Sequence, residues 1–483
     1  MATKKDLVEA YSFSRRRLVT AFVSGAPGGR EVEPSRPGRT IVGGVALAVL
    51  LAAGAAIAGV FAPRTPDDWA EAGLIVSKET GAAYVILPSP DGEDVPEGVE
   101  LRPVINTTSA KLILGADSEP TLISQDTIDD QRIGEDIGIL GAPASVPTPS
   151  LLITSGWTAC TADDSGIRVD VAEDPDVTPA PGAGVVVQNH GDLYVVAESD
   201  PAGPGAGGTY LYELPKQTGR AGPETDSLLE AIGLESSVGA VQVPREWLNL
   251  FPTGDPLDLA SLRLDRFGER PTAPLPAEAG RATVGDVLES DGGDQFLVTD
   301  DGPVLLGDFV AAIYLHLVRP DGTVAEPIRV GSAPSADRAS GEFLEDTRWP
   351  DALPVPLPTD PCAQLTAARG EAPTARLASP GETVGAVGLG AGEKDPTVDP
   401  GRGAYVLSGG WSGGASGTSP YLIDAKGRAN PLVGGGAAEQ LGYAEVPVPV
   451  VPDTWVELFR CGVNLSQDAA LEPPTEGTEP ACA

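Results

Sequence analysis

The sequence predicts a mainly β protein with short helices, in which an N-terminal amphipathic helix and one transmembrane helix precede a large outer domain of pseudo-two-fold symmetry. Three observations support this fold class. Short runs rich in Val, Leu and Tyr recur beyond residue 62 between Gly, Pro and Asp, a pattern typical of strands and turns. A single long uncharged segment covers residues 41–62. The chain downstream of it repeats itself.

The first element is a predicted helix over residues 5–23. Four apolar residues, Leu7, Tyr11, Leu18 and Phe22, follow one another at spacings of four, seven and four, which places them on one helix face. This helix could dock a cytosolic partner, or it could rest on anionic lipid as a basic amphipathic segment. Both interpretations remain open. We assign partner docking to seven of its residues: Leu7, Tyr11, Arg15, Arg16, Arg17, Leu18 and Phe22.

The stretch Ser14-Arg15-Arg16-Arg17-Leu18-Val19 is close to a twin-arginine export signal. In a cleaved signal, however, an apolar region of about 7–15 residues follows closely behind the basic residues. Here a glycine-rich and charged linker separates Arg17 from the apolar segment, which is also too long. We therefore expect a retained protein.

Residues 41–62 form the predicted transmembrane helix. Twenty-two uncharged residues span about 33 Å as a helix, enough to cross a bilayer. Residues 1–40 hold eight basic and four acidic residues. Because basic flanks stay in the cytoplasm, we expect residues 1–40 to be cytoplasmic and residues 63–483 to lie in the periplasm or cell-envelope space. The protein is thus predicted to be a single-pass protein of the inner membrane.

Small residues form a stripe along the predicted span. Gly44, Ala48, Ala52 and Ala56 recur every four residues, which suits close packing against another membrane helix. An Ala-rich composition would produce the same stripe without any packing role. The two interpretations are equally supported.

The outer domain is strongly acidic. The chain carries a net charge of −37, and residues 41–483 hold 24 basic against 65 acidic residues. Such a body repels phosphate backbones, so we expect no nucleic-acid partner. The acidic surface is more typical of solubility than of cation binding.

An internal repeat organises the outer domain. The stretch VPREWLNLFPTGDPL, from Val243, shares seven identities without a gap with VPDTWVELFRCGVNL, from Val451, including Trp247 and Trp455. A predicted strand pair at about residues 185–196 resembles another at about 405–423, and a weaker match joins the regions near residues 73–85 and 285–297. The domain therefore divides into two halves, each with two small β-rich units.

All four cysteines lie on the predicted outer side, and four cysteines allow three full pairings. They form no C-x-x-C pair and only two histidines exist, so we expect no metal site. Cys160 and Cys362 occupy equivalent positions between the units of each half. Equivalent positions meet at a symmetry axis, so we predict a Cys160–Cys362 bond. Cys461 and Cys482 would close a short C-terminal loop.

Two motifs resemble catalytic sequences. Gly410-Trp411-Ser412-Gly413-Gly414 matches the nucleophile elbow of α/β-hydrolases, but that fold needs a histidine after the serine, and His190 and His316 both precede it. The glycine-rich stretch 388–394, which ends in Lys394, lacks the phosphate-loop pattern. We therefore expect no catalytic residue and no cofactor.

Three stretches resemble EccB, a membrane component of actinobacterial type VII (ESX) secretion systems. The N-terminal Tyr11-Ser12-Phe13 with Arg16-Arg17-Leu18 and Ala21 is similar to the family's cytosolic helix. The stretch LRPVINTTSAKLILG, residues 101–115, is similar to its most recognisable outer motif. Residues 441–462 resemble its last repeat.

The resemblance implies an elongated outer domain with a central β core and four peripheral repeats, two per half. We expect these units at about residues 70–125, 185–265, 282–345 and 400–471, with core segments between them. The implied partners are EccC-, EccD- and EccE-type components, another EccB copy and membrane lipid. Cys461 and Cys482 depart from the family pattern, so their pairing rests on proximity in sequence alone.

The resulting hypothesis is a non-enzymatic structural subunit of a type VII secretion membrane complex. An extracytoplasmic enzyme is the first alternative, because ATP hydrolysis is claimed for some family members, although no motif in this sequence supports a nucleotide site. A cell-wall-binding module is the second.

Overall fold

A computed structural model of the protein describes residues 4–24, 44–45, 47–49, 51, 66, 68–87, 99–199, 207–215, 220–335, 338–339, 344, 347–414 and 417–475. The chain divides into two compact units, Met1–Pro66 and Asp67–Ala483. In the first unit a helix, α1, runs Lys4–Ser24. The helix predicted over residues 5–23 is confirmed.

The predicted transmembrane segment 41–62 falls mostly outside the described residues. Its described positions, 44–45, 47–49 and 51, are helical. Within the described part of the chain, no helix combines the length and the apolar character that crossing a bilayer requires. The span stays a prediction.

The large unit, residues 67–483, is mainly β, as predicted. Its first half begins with sheet I, made of β1 Gly73–Ser77, β2 Ala83–Ile86, β3 Glu100–Pro103, β4 Pro120–Ile123 and β5 Arg132–Ile133. The helices of this region are α2 Thr107–Leu114 and α3 Gln125–Asp129, followed by a 3-10 turn at Pro149–Leu151. Three strands of the central sheet follow: β6 Trp157–Cys160, β7 Ile167–Val171 and β8 Val177–Pro179.

Sheet II completes the first half. Its strands are β9 Ala183–Asn189, β10 Asp192–Glu198, β11 Thr209–Glu213 and β12 Val241–Gln242. The helices here are α4 Pro223–Ala231 and α5 Arg245–Leu248, with 3-10 turns at Ser237–Gly239, Ala260–Leu262 and Ala277–Ala279. Asn189 pairs with Asp192 across a two-residue turn in which His190 and Gly191 both have positive φ, and the predicted strand pair is confirmed.

The second half has a broadly similar order of elements. Sheet III contains β13 Val287–Ser290, β14 Gln295–Thr299, β15 Gly302–Leu305, β16 Ile328–Val330 and β17 Arg338–Ala339, with helix α6 Asp308–His316. Then come β18 Val355–Pro356, which joins sheet II, and the central strands β19 Cys362–Thr366, β20 Thr374–Pro380 and β21 Lys394–Val398. Sheet IV contains β22 Ala404–Gly409, β23 Ser419–Ile423, β24 Arg428–Pro431, β25 Val450–Pro452 and β26 Arg460–Cys461, with helices α7 Ala437–Gln440, α8 Asp453–Val456 and α9 Gln467–Leu471.

Sheets I, III and IV share one strand order. Counting strands within each sheet, the order is 4-1-2-3-5: an antiparallel meander of three strands with a parallel strand added on either side. Sheet II has the same meander and the same parallel fourth strand. Beside its third strand, where the other sheets have their fifth, sheet II has a parallel bridge between Leu211 and Thr253, and its own fifth strand is β18, which pairs with β9.

The central sheet is built jointly by the two halves, in the order β21-β7-β6-β19-β20-β8. The hairpin β6–β7 of the first half pairs with the hairpin β19–β20 of the second through antiparallel β6 and β19. The third strand of each half then crosses over: β21 pairs with β7, and β8 pairs with β20. Neither half therefore holds a complete central sheet.

Three apolar clusters connect the five sheets. The largest combines the central sheet with sheets II and IV, and it contains Trp157, Trp247 and Trp455. A second cluster joins sheets II and III, and a third joins sheets I and IV. Sheets II and IV thus pack against the central sheet, sheet III packs against sheet II, and sheet I packs against sheet IV.

Two tyrosines fasten the connections that lead from sheets I and III into the central sheet. The Tyr443 hydroxyl, next to sheet IV, donates a hydrogen bond of 2.8 Å to the carbonyl of Pro147. The Tyr212 hydroxyl, in sheet II, donates to the carbonyl of Arg348. Burial raises the pKa of both phenols, so both stay neutral donors.

We expect Tyr443→Phe to lower the free energy of unfolding by about 1–2 kcal/mol, because the partly buried Pro147 carbonyl loses its donor while the aromatic ring remains. Urea unfolding of the protein measures this. Tyr421→Phe is the matched control, since the Tyr421 hydroxyl makes no hydrogen bond within the described residues. Equal losses in the two variants would contradict the assignment.

Candidate assembly surfaces

The α1 helix presents the predicted apolar face. At about 100° per residue, Leu7, Tyr11, Leu18 and Phe22 fall within an arc of roughly 60°. All four are exposed, from 65% for Leu7 to 90% for Phe22. Four of the predicted docking residues line one concave surface together with three neighbours: Tyr11, Ser14, Arg15, Leu18, Val19, Phe22 and Val23.

The three arginines of α1 do not all lie beside that apolar face. Arg15 borders the apolar arc, whereas Arg16 and Arg17 follow at further steps of about 100° around the helix and leave it. All three are exposed, and the last helical turn contains no basic residue. The positive charge therefore surrounds the helix at mid-length, a distribution that suits an acidic groove or an anionic surface.

The predicted small-residue stripe is described only in part. Gly44 and Ala48 are both helical, and a Cβ atom added at Gly44 would meet nothing within 4 Å. Ala52 and Ala56 lie outside the described residues. Their role in membrane packing stays a prediction.

The central staple is the bond between Cys160 and Cys362, the pairing that the repeats predict. The two residues lie directly opposite each other in the β6–β19 register, with a Cα–Cα distance of 4.0 Å and 202 residues between them. A loop of this length makes a disulfide worth on the order of 5 kcal/mol in the chain-entropy account. Cys461 is also disulfide-bonded, but Cys482 lies outside the described residues, so that pairing stays a prediction.

The family-like motif at residues 101–115 has a structural role. Leu101 is a fully buried residue of β3, and the Asn106 side chain caps α2 by accepting a hydrogen bond of 2.8 Å from the Ser109 amide. The Asn106 amide group also donates to the carbonyl of Ile139, while the Ser109 hydroxyl accepts from the Ile139 amide. The motif thus fixes the loop that lies between sheet I and sheet IV.

The motifs that resemble catalytic sequences lie in separate loops. Lys394 donates from its ammonium group to the backbone carbonyl of Glu457. In the glycine-rich stretch before it, the Gly390 amide donates to the carboxylate of Glu393, which therefore takes the place an anion would need. His316 pairs its Nδ1 with the Ala312 carbonyl in its own helix. The structure does not bring these side chains together.

A carboxylate cluster marks the outer strands of the central sheet. Burial raises the pKa of Asp170, against the hydrogen bond from Thr397, and the nearby Asp399 adds to the increase. Arg168 forms an ion pair of 2.7 Å with Asp395 across β7 and β21. These charges link strands from different halves, and nothing in the sequence pattern indicated them.

The comparisons with known proteins agree with this architecture. A family profile described as type VII secretion system ESX-1, transport TM domain B, the EccB profile, matches residues 1–473. A protein of Mycolicibacterium smegmatis named ESX-1 secretion system ATPase EccB1 is 26% identical over 473 residues, covering 90% of this chain and 87% of that protein. ESX-2 secretion system ATPase EccB2 of Mycobacterium tuberculosis is 28% identical over half of this chain and 45% of its own length.

Solved structures show the same fold. A chain of an intact ESX-5 inner membrane complex superposes with a TM-score of 0.60 at 21% identity, covering 100% of this chain and 98% of the other. A chain of an EccB3 dimer from the ESX-3 core complex gives a TM-score of 0.59 at 20% identity, covering 83% of this chain and all of the other. Taken with the profile match over almost the whole chain, these likenesses show that the protein belongs to the EccB family of type VII secretion systems.

Proposed function

We propose that this protein is a structural subunit of a type VII secretion complex in the inner membrane, where it anchors the assembly and associates with a second copy of itself. The observation that carries this proposal is the family match over residues 1–473. Relatives with the same fold are components of an ESX-5 inner membrane complex and of an EccB3 dimer. The predicted span at residues 41–62 would provide the single membrane anchor, with residues 1–40 in the cytoplasm.

The large unit would act as a rigid outer body made of four related units, two per half, around the central sheet. The common strand order of sheets I, III and IV and the matching meander of sheet II support this layout. The repeated tryptophans also support it, because Trp247 and Trp455 are both fully buried against the centre. The Trp455 indole donates to the carbonyl of Leu250, which links the two repeats directly.

The cytoplasmic helix would be the docking element toward EccC-, EccD- and EccE-type partners. Its exposed apolar arc and basic residues fit a groove that is apolar and acidic, and this supports protein docking. The same features fit anionic lipid. Arginine chemistry distinguishes protein docking from lipid binding. A protein groove recognises the planar guanidinium group, whereas a charged lipid surface accepts lysine equally well.

An ATPase is the second candidate, since several relatives carry that word in their names. In this chain the Lys394 ammonium and the Gly390 amide already have partners in the protein. We expect any ATP hydrolysis by the purified full-length protein to persist in Lys394→Ala, measured as phosphate release. A loss of activity in this variant, with the fold intact, would instead place a nucleotide at that loop.

Gentle detergent extraction of the tagged protein from its native membrane tests the main proposal. We expect a large particle that contains more than one copy of the protein together with other secretion components, identified by mass spectrometry. Recovery of a monomer without other secretion components would contradict the structural role.

We expect the triple variant Arg15→Ala, Arg16→Ala and Arg17→Ala to reduce recovery of this particle severalfold, because charge-assisted hydrogen bonds at the docking helix are lost. The large unit should stay folded. A matched control removes three exposed arginines from the large unit, Arg132, Arg220 and Arg329, whose ion pairs are long. That control should leave recovery unchanged.

Replacing the same three arginines with lysine distinguishes docking to a protein groove from binding to anionic lipid. Recovery of the particle should remain as low as in the alanine variant if the partner is a protein groove, and should return to the wild-type level if the partner is lipid. Full recovery in the alanine variant would rule out both roles for the arginines.

A further inference from the structure

The Cys160–Cys362 bond lies on the thinly covered face of the central sheet. Strand β6 directs Trp157 and Ala159 into the large apolar cluster, and the alternation of side chains turns Cys160 to the opposite face. There the cysteines share a small separate apolar cluster with Ala378 and Val384, with Val177 beside it. Even so, Cys160 and Cys362 are 1% and 0% exposed.

One connection adds Val384 to this cover, beside Ala378 and Val177. Strands β20 and β21 are separated in the central sheet by β19, β6 and β7, so residues 381–393 must cross those three strands. They cross at the cysteine end, because Pro380 ends β20 two residues beyond the partner of Cys362, and Lys394 pairs with the first residue of β7. We name residues 381–393 the flap.

Hydrogen bonds to the other half of the chain hold the flap at both ends and at a few points between them. At its ends, the Gly381 amide donates to the carbonyl of Asp176 and the Ile167 amide donates to the carbonyl of Glu393, both at 2.8 Å. The amide and hydroxyl of Thr383 donate to the carboxylate of Asp176, at 2.9 and 2.6 Å. The guanidinium of Arg168 donates to the carbonyl of Gly385. A longer bond of 3.4 Å joins the Gly166 amide to the carbonyl of Leu389.

The composition of the flap suits local movement. It contains five glycines, and two of them, Gly388 and Gly392, have positive φ near its C-terminal end. Val384 and Ala386 are its buried side chains, whereas Val387 is 77% exposed. Segments with few buried apolar contacts open at lower free energy than the fold around them.

We propose that the flap opens locally and that this opening, rather than unfolding of the domain, is the route by which a dithiol reaches the Cys160–Cys362 bond. A thiolate of the dithiol attacks one cysteine sulfur, the S–S bond breaks, and a mixed disulfide forms. The second thiol of the reagent then attacks that mixed disulfide and closes a cyclic disulfide. Both cysteines are left as thiols, having gained two electrons and two protons in total.

The domain stays folded in the reduced state. The β6–β19 pairing, the strand exchange and the three apolar clusters that connect the sheets do not involve the sulfur atoms, and they hold the two cysteines opposite each other. The bond can therefore re-form when an oxidant of the disulfide class is present. The central staple is a reversible link that the flap protects.

The test measures reduction of the full-length folded protein by dithiothreitol, followed by alkylation and mass mapping of the peptides that contain Cys160 and Cys362. We expect Asp176→Ala to accelerate reduction about tenfold and Thr383→Val severalfold, because each removes flap hydrogen bonds. Gly385→Ala should slow it, since a Cβ there meets nothing within 4 Å but restricts the backbone.

The matched control is a similar pair of hydrogen bonds within a local turn far from the flap in sequence. The amide and hydroxyl of Thr323 donate to the carboxylate of Asp321 at 3.0 and 2.7 Å, so Asp321→Ala and Thr323→Val should leave the rate unchanged. Urea below the unfolding transition should raise the wild-type rate only slightly, because local opening exposes little surface. A rate that follows the full unfolding slope, or that ignores the flap variants, would overturn the proposal.

Discussion

The antiparallel pairing of β6 with β19 is the constraint on which the rest of the large unit depends. It places Cys160 opposite Cys362 and sets the two hairpins of the central sheet side by side. The exchange of third strands then makes each half the edge partner of the other. Sheets II and IV pack on this joint sheet, and sheets III and I pack in turn on them. A disruption at the centre therefore reaches every sheet.

The repeat in the sequence predicted the central bond because equivalent residues of a two-fold arrangement meet at its axis. The strand pairs at residues 183–198 and 404–423 also follow from local pattern, since apolar alternation and turn residues define hairpins without reference to the rest of the chain. The helix of residues 4–24 has the same local origin. Each of these elements can therefore be predicted from its own local sequence.

The strand exchange could not be predicted in this way. Strand β8 has only three residues, Val177–Pro179, and β18 has two, which is too short for any periodic signal. Their places in the sheets are decided by partners that are more than 170 residues away in sequence, β20 for β8 and β9 for β18. The tyrosine contacts could not be predicted from the sequence either, because the acceptors of Tyr443 and Tyr212 are backbone carbonyls of connecting segments, which any residue type would provide.

Glycine-rich stretches that resemble enzyme motifs have a packing explanation. A Cβ atom at Gly413 would lie 2.5 Å from the backbone of Glu371, so the loop near Ser412 needs glycine to approach the β19–β20 turn. Phosphate loops and nucleophile elbows use glycine for the same close approach of backbone, which is why sequence alone gives both uses the same appearance. The apolar face of α1 was easier to predict, because its periodicity is intrinsic to the helix.

The chain path through the large unit is nested. Sheets II and III come from one continuous stretch, whereas sheets I and IV, which share an apolar cluster, are separated by roughly 270 residues. In a chain that folds from its N-terminal part first, the apolar side of sheet I stays uncovered until sheet IV, which begins at Ala404 in the last sixth of the chain, is present. The domain is therefore complete only when its C-terminal part is present. A prematurely terminated chain would leave the apolar side of sheet I exposed.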